Sequence, residues 1–216
     1  MQDFLEEKAE KIKSITTELS TLHHPHLEFV LLRSCLALPK FIFLLRTTDS
    51  TSFSETLQKF DHVTREGLSR IIGGPVTDQE WDQAKIPVCM GGLGLRAALD
   101  HGGAAFATSI TVAHPFCLKL LHQEENSPLN LPADLLTNLS NKMGEEDVIS
   151  SESLVGLNQR AVSVKIDLNN MTLLKQQFQE RGCVRDIARL ASVGIKDSHS
   201  GDCCAFSRSR PEASAS

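Results

Sequence analysis

Four clusters of residues in this 216-residue chain are of types that do chemistry elsewhere. The first, HHPH, places His23, His24 and His26 close together. Neutral imidazoles bind zinc, but a site takes four ligands, and no other Cys or His here has finger-like spacing. With Pro25 among them, these histidines read as a polar junction at a helix start. The second cluster, MGGLGLR, holds Gly91, Gly92 and Gly94. Glycine amides cradle phosphate in other proteins, yet a dinucleotide site needs GxGxxG between strand and helix, and a Walker site ends in Lys followed by Ser or Thr. Neither is present, so the glycines imply a tight turn with positive φ. In the third, Gly144 to Asp147 (GEED), the acids lack the spaced oxygens of a calcium loop and read as a solvated loop. In the fourth, Arg33 and Lys40 stand two helical turns apart with Arg46 beyond, along one edge of an apolar helix pair or snorkelling out of a core. No GxSxG elbow exists, and no Cys or Ser has a suggestively placed His. The chain is therefore expected to be no enzyme, with no metal and no cofactor.

Composition narrows the class further. With 41% hydrophobic and 23% charged residues, the chain can bury one sizeable core or two small ones. Arg33, Pro39 and Lys40 interrupt the greasiest stretch, Leu27 to Leu45, before it reaches the roughly 18 residues of a membrane span. The opening MQDFLEEKAEKIK has no apolar signal region, which places the chain inside the cell, cytoplasmic or nuclear. Cysteines 35, 89, 117, 183, 203 and 204 form no CxxC pair and read as reduced, small apolar fillers. The net charge of −5 argues against an indiscriminate nucleic-acid binder. Seven acids against two bases between Leu121 and Arg160 account for that charge, which leaves room for a local basic surface elsewhere.

These clusters must be positioned by helices. Leu5, Ala9, Ile12, Ile15, Leu19 and Leu22 recur in steps of three and four, opposite Glu6, Glu7, Lys11 and Glu18. Pro25 suits the first turn of a second helix, apolar on nearly every side from His26 to Leu38 and so expected to be buried. Pro39 disfavours helix at Leu38, predicting a break there before Phe41 to Leu45 continue. Ser52 with Glu55 and Thr77 with Glu80 each have the spacing of a capping box. The first opens a helix running to Gly73, the second a short one holding Trp81. Ile86 to Val88 against Leu93 to Leu95, flanking Gly91 and Gly92, predicts a small hairpin. Small residues from Ala97 to Leu121 suggest close helix packing around Gly102 and Gly103, with Pro115 as a kink. Helices over Pro132 to Lys142, Ser153 to Arg181 and Val184 to Val193 follow. After Lys196 a Ser-rich, aperiodic stretch is expected to be disordered. The fold expected is all-α, an irregular helical bundle with one β-hairpin. It divides into a helical region over 1–73, a Trp turn and Gly-rich hairpin over 74–96, a second helical region over 97–195 and a tail over 196–216.

Two segments carry a resemblance: HHPHLEFVLLRSCLALPKFIFLLRT at 23–47 and WDQAKIPVCMGGLGLRAALDHGGAAFATS at 81–109. In that order they resemble the thumb and post-polymerase region that follows the palm in reverse-transcriptase-like proteins of non-LTR retroelements. The matching residues are Leu32, Arg33, Cys35, Leu36, Pro39 and Lys40, then Trp81, Pro87, Gly91, Gly92, Leu93, Gly94, Leu95 and Arg96. The family's chemistry is two-metal nucleotide addition on palm aspartates. This chain has no tyrosine and no adjacent aspartate pair, so that centre is absent. The resemblance implies contact with the backbone of RNA or DNA by Arg33, Lys40 and Arg96, with Trp81, Gly91, Gly92 and Gly94 building the turn. Past HSGD the sequence CCAFSRSRPEASAS departs from the apolar continuation expected of the family, which implies a truncated product. The alternative is a helical module whose apolar faces bind a protein partner or a second copy.

Overall fold

The protein is described from a computed structural model covering residues 2–122 and 127–192. Helix α1 (Gln2–Glu18) packs on α4 (Ser54–Ile72). Pro25 opens α2 (Pro25–Leu31), where its missing N–H leaves no bond unmade, and the Glu28 carboxylate reaches back to accept from the His24 amide at 2.9 Å. Contrary to the expected full burial of this stretch, Leu27, Val30 and Leu31 are exposed, and only one face packs inward. A single π turn, Leu32–Leu36, follows and is closed by the Ala37 amide on the Leu32 carbonyl at 2.8 Å. Ala37 leaves helical geometry and α3 (Leu38–Thr47) starts afresh with Pro39 in its first turn, one residue from the break the sequence predicts.

The two capping boxes part company. Thr77 and Glu80 exchange both bonds at the start of α5 (Asp78–Lys85). Ser52 and Glu55 do not, because the Asp49 carboxylate accepts from the Thr51 amide and folds Ser50–Phe53 into a 3-10 turn ahead of α4. At the far end of α4, Gly73 adopts φ +73° and closes the helix as expected.

The predicted hairpin is wrong: among the described residues there is no strand. Val88–Met90 form a 3-10 turn, and the returning chain turns its amides on the end of α5. Leu93 and Leu95 donate to the Ala84 carbonyl at 3.3 and 3.0 Å, and Gly94 donates to Ile86 at 2.8 Å. Carbonyls in the last turn of a helix have no partner within it, so capping them outcompetes pairing two very short strands.

Helix α6 (Ala98–Leu120) is the axis of the bundle. One side packs on α3 and α4, where Phe41 stacks on Phe60 with ring centroids 4.5 Å apart; the other packs on α7 (Ala133–Met143) and α8 (Gln159–Glu180). It runs through Pro115 as one helix. The helix expected from Ser153 begins instead at Gln159, capped by Asn158, because Glu152–Leu154 form a separate 3-10 turn. α9 (Val184–Ser192) closes a small core with Ile86, Met171, Leu174 and Phe178. The predicted tail lies outside the described residues. No described helix is long and apolar enough to cross a membrane.

Candidate functional site

The Gly-rich segment links the end of α5 to the start of α6. A side chain at Gly92 would meet the Ile86 carbonyl oxygen at 2.0 Å, so only glycine lets the chain fold back this tightly. Gly94 takes φ +74°, and a Cβ placed on it would lie 3.5 Å from Cδ of Arg33. The amides of Gly91, Gly92 and Gly94 are spent on the Val88, Pro87 and Ile86 carbonyls of the turn itself, which removes the donors that a phosphate cradle would need. Trp81 is half-buried against the cluster formed by Leu19, Leu32, Leu68 and Leu95.

The start of α6 gathers charges that sequence reasoning missed. Ala97 has no side chain able to cap, and the Asp61 carboxylate of α4 takes that role across the core. Its oxygens accept from the Ala98 and Leu99 amides at 2.7 and 3.0 Å. Burial pushes the Asp61 carboxyl up to about 7, against the downward pull of those two amides. Next along, Asp100 binds Lys142 of α7 at 2.6 Å and Lys85 of α5 at 3.5 Å. Burial would raise Asp100, but the two ammonium groups outweigh it and hold its carboxyl below the ordinary value. Burial would likewise lower Lys85, but Asp100 and Asp82 keep it above its ordinary value. One turn into α6, His101 Nε2 lies 3.3 Å from Asp167 of α8, whose other oxygen meets Arg96 at 2.5 Å. His101 and Asp167 are only 2% and 1% exposed, so no substrate reaches them. The arrangement ties α6 to α4, α5, α7 and α8.

Of the bases singled out in the sequence, Arg96 is thus committed to Asp167. Arg33 lies between Gly94 and the ring of Phe29, 5.8 Å from its centroid. Lys40 is exposed on α3, where it rims a shallow cavity of about 120 Å³ together with Lys8 and Lys11 of α1, over Ile12, Phe41 and Leu44. The structure therefore joins Arg33 to the glycine turn and Lys40 to two lysines of α1. In the sequence Lys11 reads only as part of a solvated helix face, and Lys8 alternates with acids on the same helix. His23, His24 and His26 are exposed, and among the described residues no three His, Cys, Asp or Glu side chains gather to hold a metal. Glu145 of the acidic loop pairs with Lys165 at 2.8 Å.

No family model matches the chain, and no solved structure does. A stretch of 60 residues, 28% of the chain, is 37% identical to the retrotransposable element SLACS 132 kDa protein of Trypanosoma brucei gambiense. That stretch covers 5% of the other protein's length. The similarity is consistent with a retroelement origin.

Proposed function

We propose that the chain is a non-catalytic helical piece of a retroelement protein, related to the thumb and post-polymerase region of reverse transcriptases, which holds nucleic-acid backbone weakly and joins no nucleotides. The observation that carries the second half is the fate of the buried carboxylates. Asp61 is spent on two amides, Asp100 on two lysines, and Asp167 on an arginine and a histidine. A two-metal centre requires carboxylates that face each other and an open site, whereas these three are satisfied by the protein itself. The likeness to a retrotransposable element protein supports the first half.

Backbone contact falls to Arg33 and Lys40, with Lys8 and Lys11 extending the lysine edge, while Arg96 acts only by fixing the Gly-rich turn against α8. Phosphate neutralisation releases counterions, so binding of this kind weakens steeply as salt rises. A mobility-shift titration with an RNA–DNA hybrid at two salt concentrations tests the proposal. Arg33→Ala combined with Lys40→Ala is expected to lower affinity roughly tenfold at low salt, in line with the loss of two phosphate contacts. An unchanged shift in the double variant removes these residues from the interface. Metal-dependent primer extension by the purified chain overturns the non-catalytic reading.

A further inference from the structure

Between Phe29 and Thr48 the chain carries the bases Arg33, Lys40 and Arg46 and no acid, in a molecule whose net charge is −5. Two of these bases stand on α3 with an aromatic ring between them. Phe43 is 72% exposed, although α3 buries Phe41 and Leu45 on its opposite side. Lys40, Phe43 and Arg46 succeed one another at intervals of three. Side chains so spaced form an oblique row, each about 4.5 Å further along the helix axis and about 60° further round, so the ring sits midway between the two cations. At one end of the row Lys40 joins Lys8 and Lys11 around the cavity of about 120 Å³. At the other, Gln159 of α8 holds the Arg46 guanidinium, accepting from Nε at 3.0 Å and from Nη2 at 2.8 Å. Gln159 is neutral, so the contact orients that group without cancelling its charge. Among the described residues no carboxylate pairs with Lys40 or Arg46, and the cation–ring contacts are those of Lys8 on Phe4 and Arg33 on Phe29. The face of Phe43 is open.

We propose that this row is a stacking platform for unpaired nucleic acid, with one base on the open face of Phe43 and the phosphates on either side of it held by Lys40 and Arg46. The inference rests on the backbone-binding reading above and adds which strand geometry is bound. Inside a duplex the faces of a base are covered by its neighbours in the stack, so only an unpaired base can turn out onto a ring. Every base has such a face, and the phosphates are common to RNA and DNA, so the platform selects neither sequence nor sugar. A protein occupant matches the row less well. The centre of a protein interface is depleted of charged residues, whereas here the ring is flanked by a cation at each end.

Fluorescence anisotropy of the full chain with labelled strands of about twelve nucleotides, as RNA, as DNA and as the RNA–DNA hybrid, is the test. Phe43→Ala is expected to weaken binding of both single strands at least about fivefold and of the hybrid less than about twofold. The melting temperature should not change, because the ring stands in water. Phe43→Trp is expected to keep single-strand affinity at the wild-type level or above it, and Phe43→Leu to lose it. Arg46→Gln is expected to flatten the salt dependence of single-strand binding by about 0.7 in logarithmic slope, the share of one phosphate. Single-strand binding indifferent to Phe43→Ala, or equal losses on single strands and hybrid, overturns the platform. The backbone reading then still stands if Arg33→Ala with Lys40→Ala weakens the hybrid. Absence of binding to any of the three strands overturns both. Self-association that Phe43→Ala abolishes, with no single strand bound, overturns the platform as well.

Discussion

Helix α6 has two halves built on opposite terms. From Ala98 to Thr108 glycine and alanine recur, and Ala98, Ala104, Ala105 and Ala107 are fully buried, which lets α3, α4, α7 and α8 approach closely. From Val112 onward, Val112, Phe116 and Leu120 stand mostly in water, while Leu118 is buried. The helical period continues unbroken, so the difference is not one of local structure. It lies in what surrounds each half, and it teaches that apolar character alone does not separate a buried face from an exposed one. Glycine and alanine let four helices close on the first half, whereas Val112, Phe116 and Leu120 of the second half meet no described neighbour that covers them.

The largest blow to the buried half is expected from Asp167→Ala, which strands His101 and leaves the part-exposed Arg96 without a partner. Breaking a buried pair from one side costs about 3–5 kcal/mol, read here by urea denaturation; a loss below about 1 kcal/mol would show that the network is not holding α6. Next comes pH. The folded Asp61 carboxyl titrates near 7, against 3.8 when unconstrained, so its contribution is complete below pH 4 and is lost as pH rises through 7. At about 1.4 kcal/mol per pH unit, wild-type stability should fall by roughly 3 kcal/mol between pH 5 and 8 relative to Asp61→Asn. Asp100, held low by its lysines, works in the opposite sense, and its contribution disappears only as pH falls below 4. Equal slopes in wild type and Asp61→Asn between pH 5 and 8 would remove Asp61 as the titrating group. Gly102→Ala sharpens the contrast by adding one methyl group, whose carbon would start 2.8 Å from Ser50 Cβ and 3.3 Å from a Leu45 methyl. Overpacking and the helical gain of alanine partly cancel, leaving a net loss of roughly 1–2 kcal/mol, measurable as a lower melting temperature. The smallest effect is expected in the other half, where Phe116→Ser should change stability by less than about 0.5 kcal/mol. A large loss there would mean that this face is core after all.

What the sequence revealed follows from how local each signal is. Thr77 and Glu80 stand three residues apart and form their box, and Pro39 announces the break that falls at Ala37. Ser52 and Glu55 spell the same box, yet Asp49 takes the turn first, so even a local pattern fails when a neighbour competes for the same backbone. The hairpin reading failed for a related reason: Ile86, Val88, Leu93 and Leu95 alternate like strand residues, but the open carbonyls at the end of α5 lie nearer than any partner strand. The charge network was invisible because its partners are distant in sequence, 37 positions for Asp61 and Ala98 and 71 for Arg96 and Asp167. Composition could suggest that residues around Gly102 and Gly103 are tightly packed; it could not say that an aspartate from another helix closes their N-terminus. Lys8 and Lys11 were hidden differently, since their meeting with Lys40 exists only once α1 and α3 are side by side.

The cap that Asp61 supplies also bears on how the molecule comes together. A helix whose first amides wait for a carboxylate on another segment cannot nucleate efficiently alone, because forming the first turn is the costly step and nothing nearby offsets it. A fragment excised at Ala97 would carry α6 without its terminator, and with it the anchor for everything that follows. Dissecting the chain at that seam should therefore yield two incompetent halves that recover structure only on mixing.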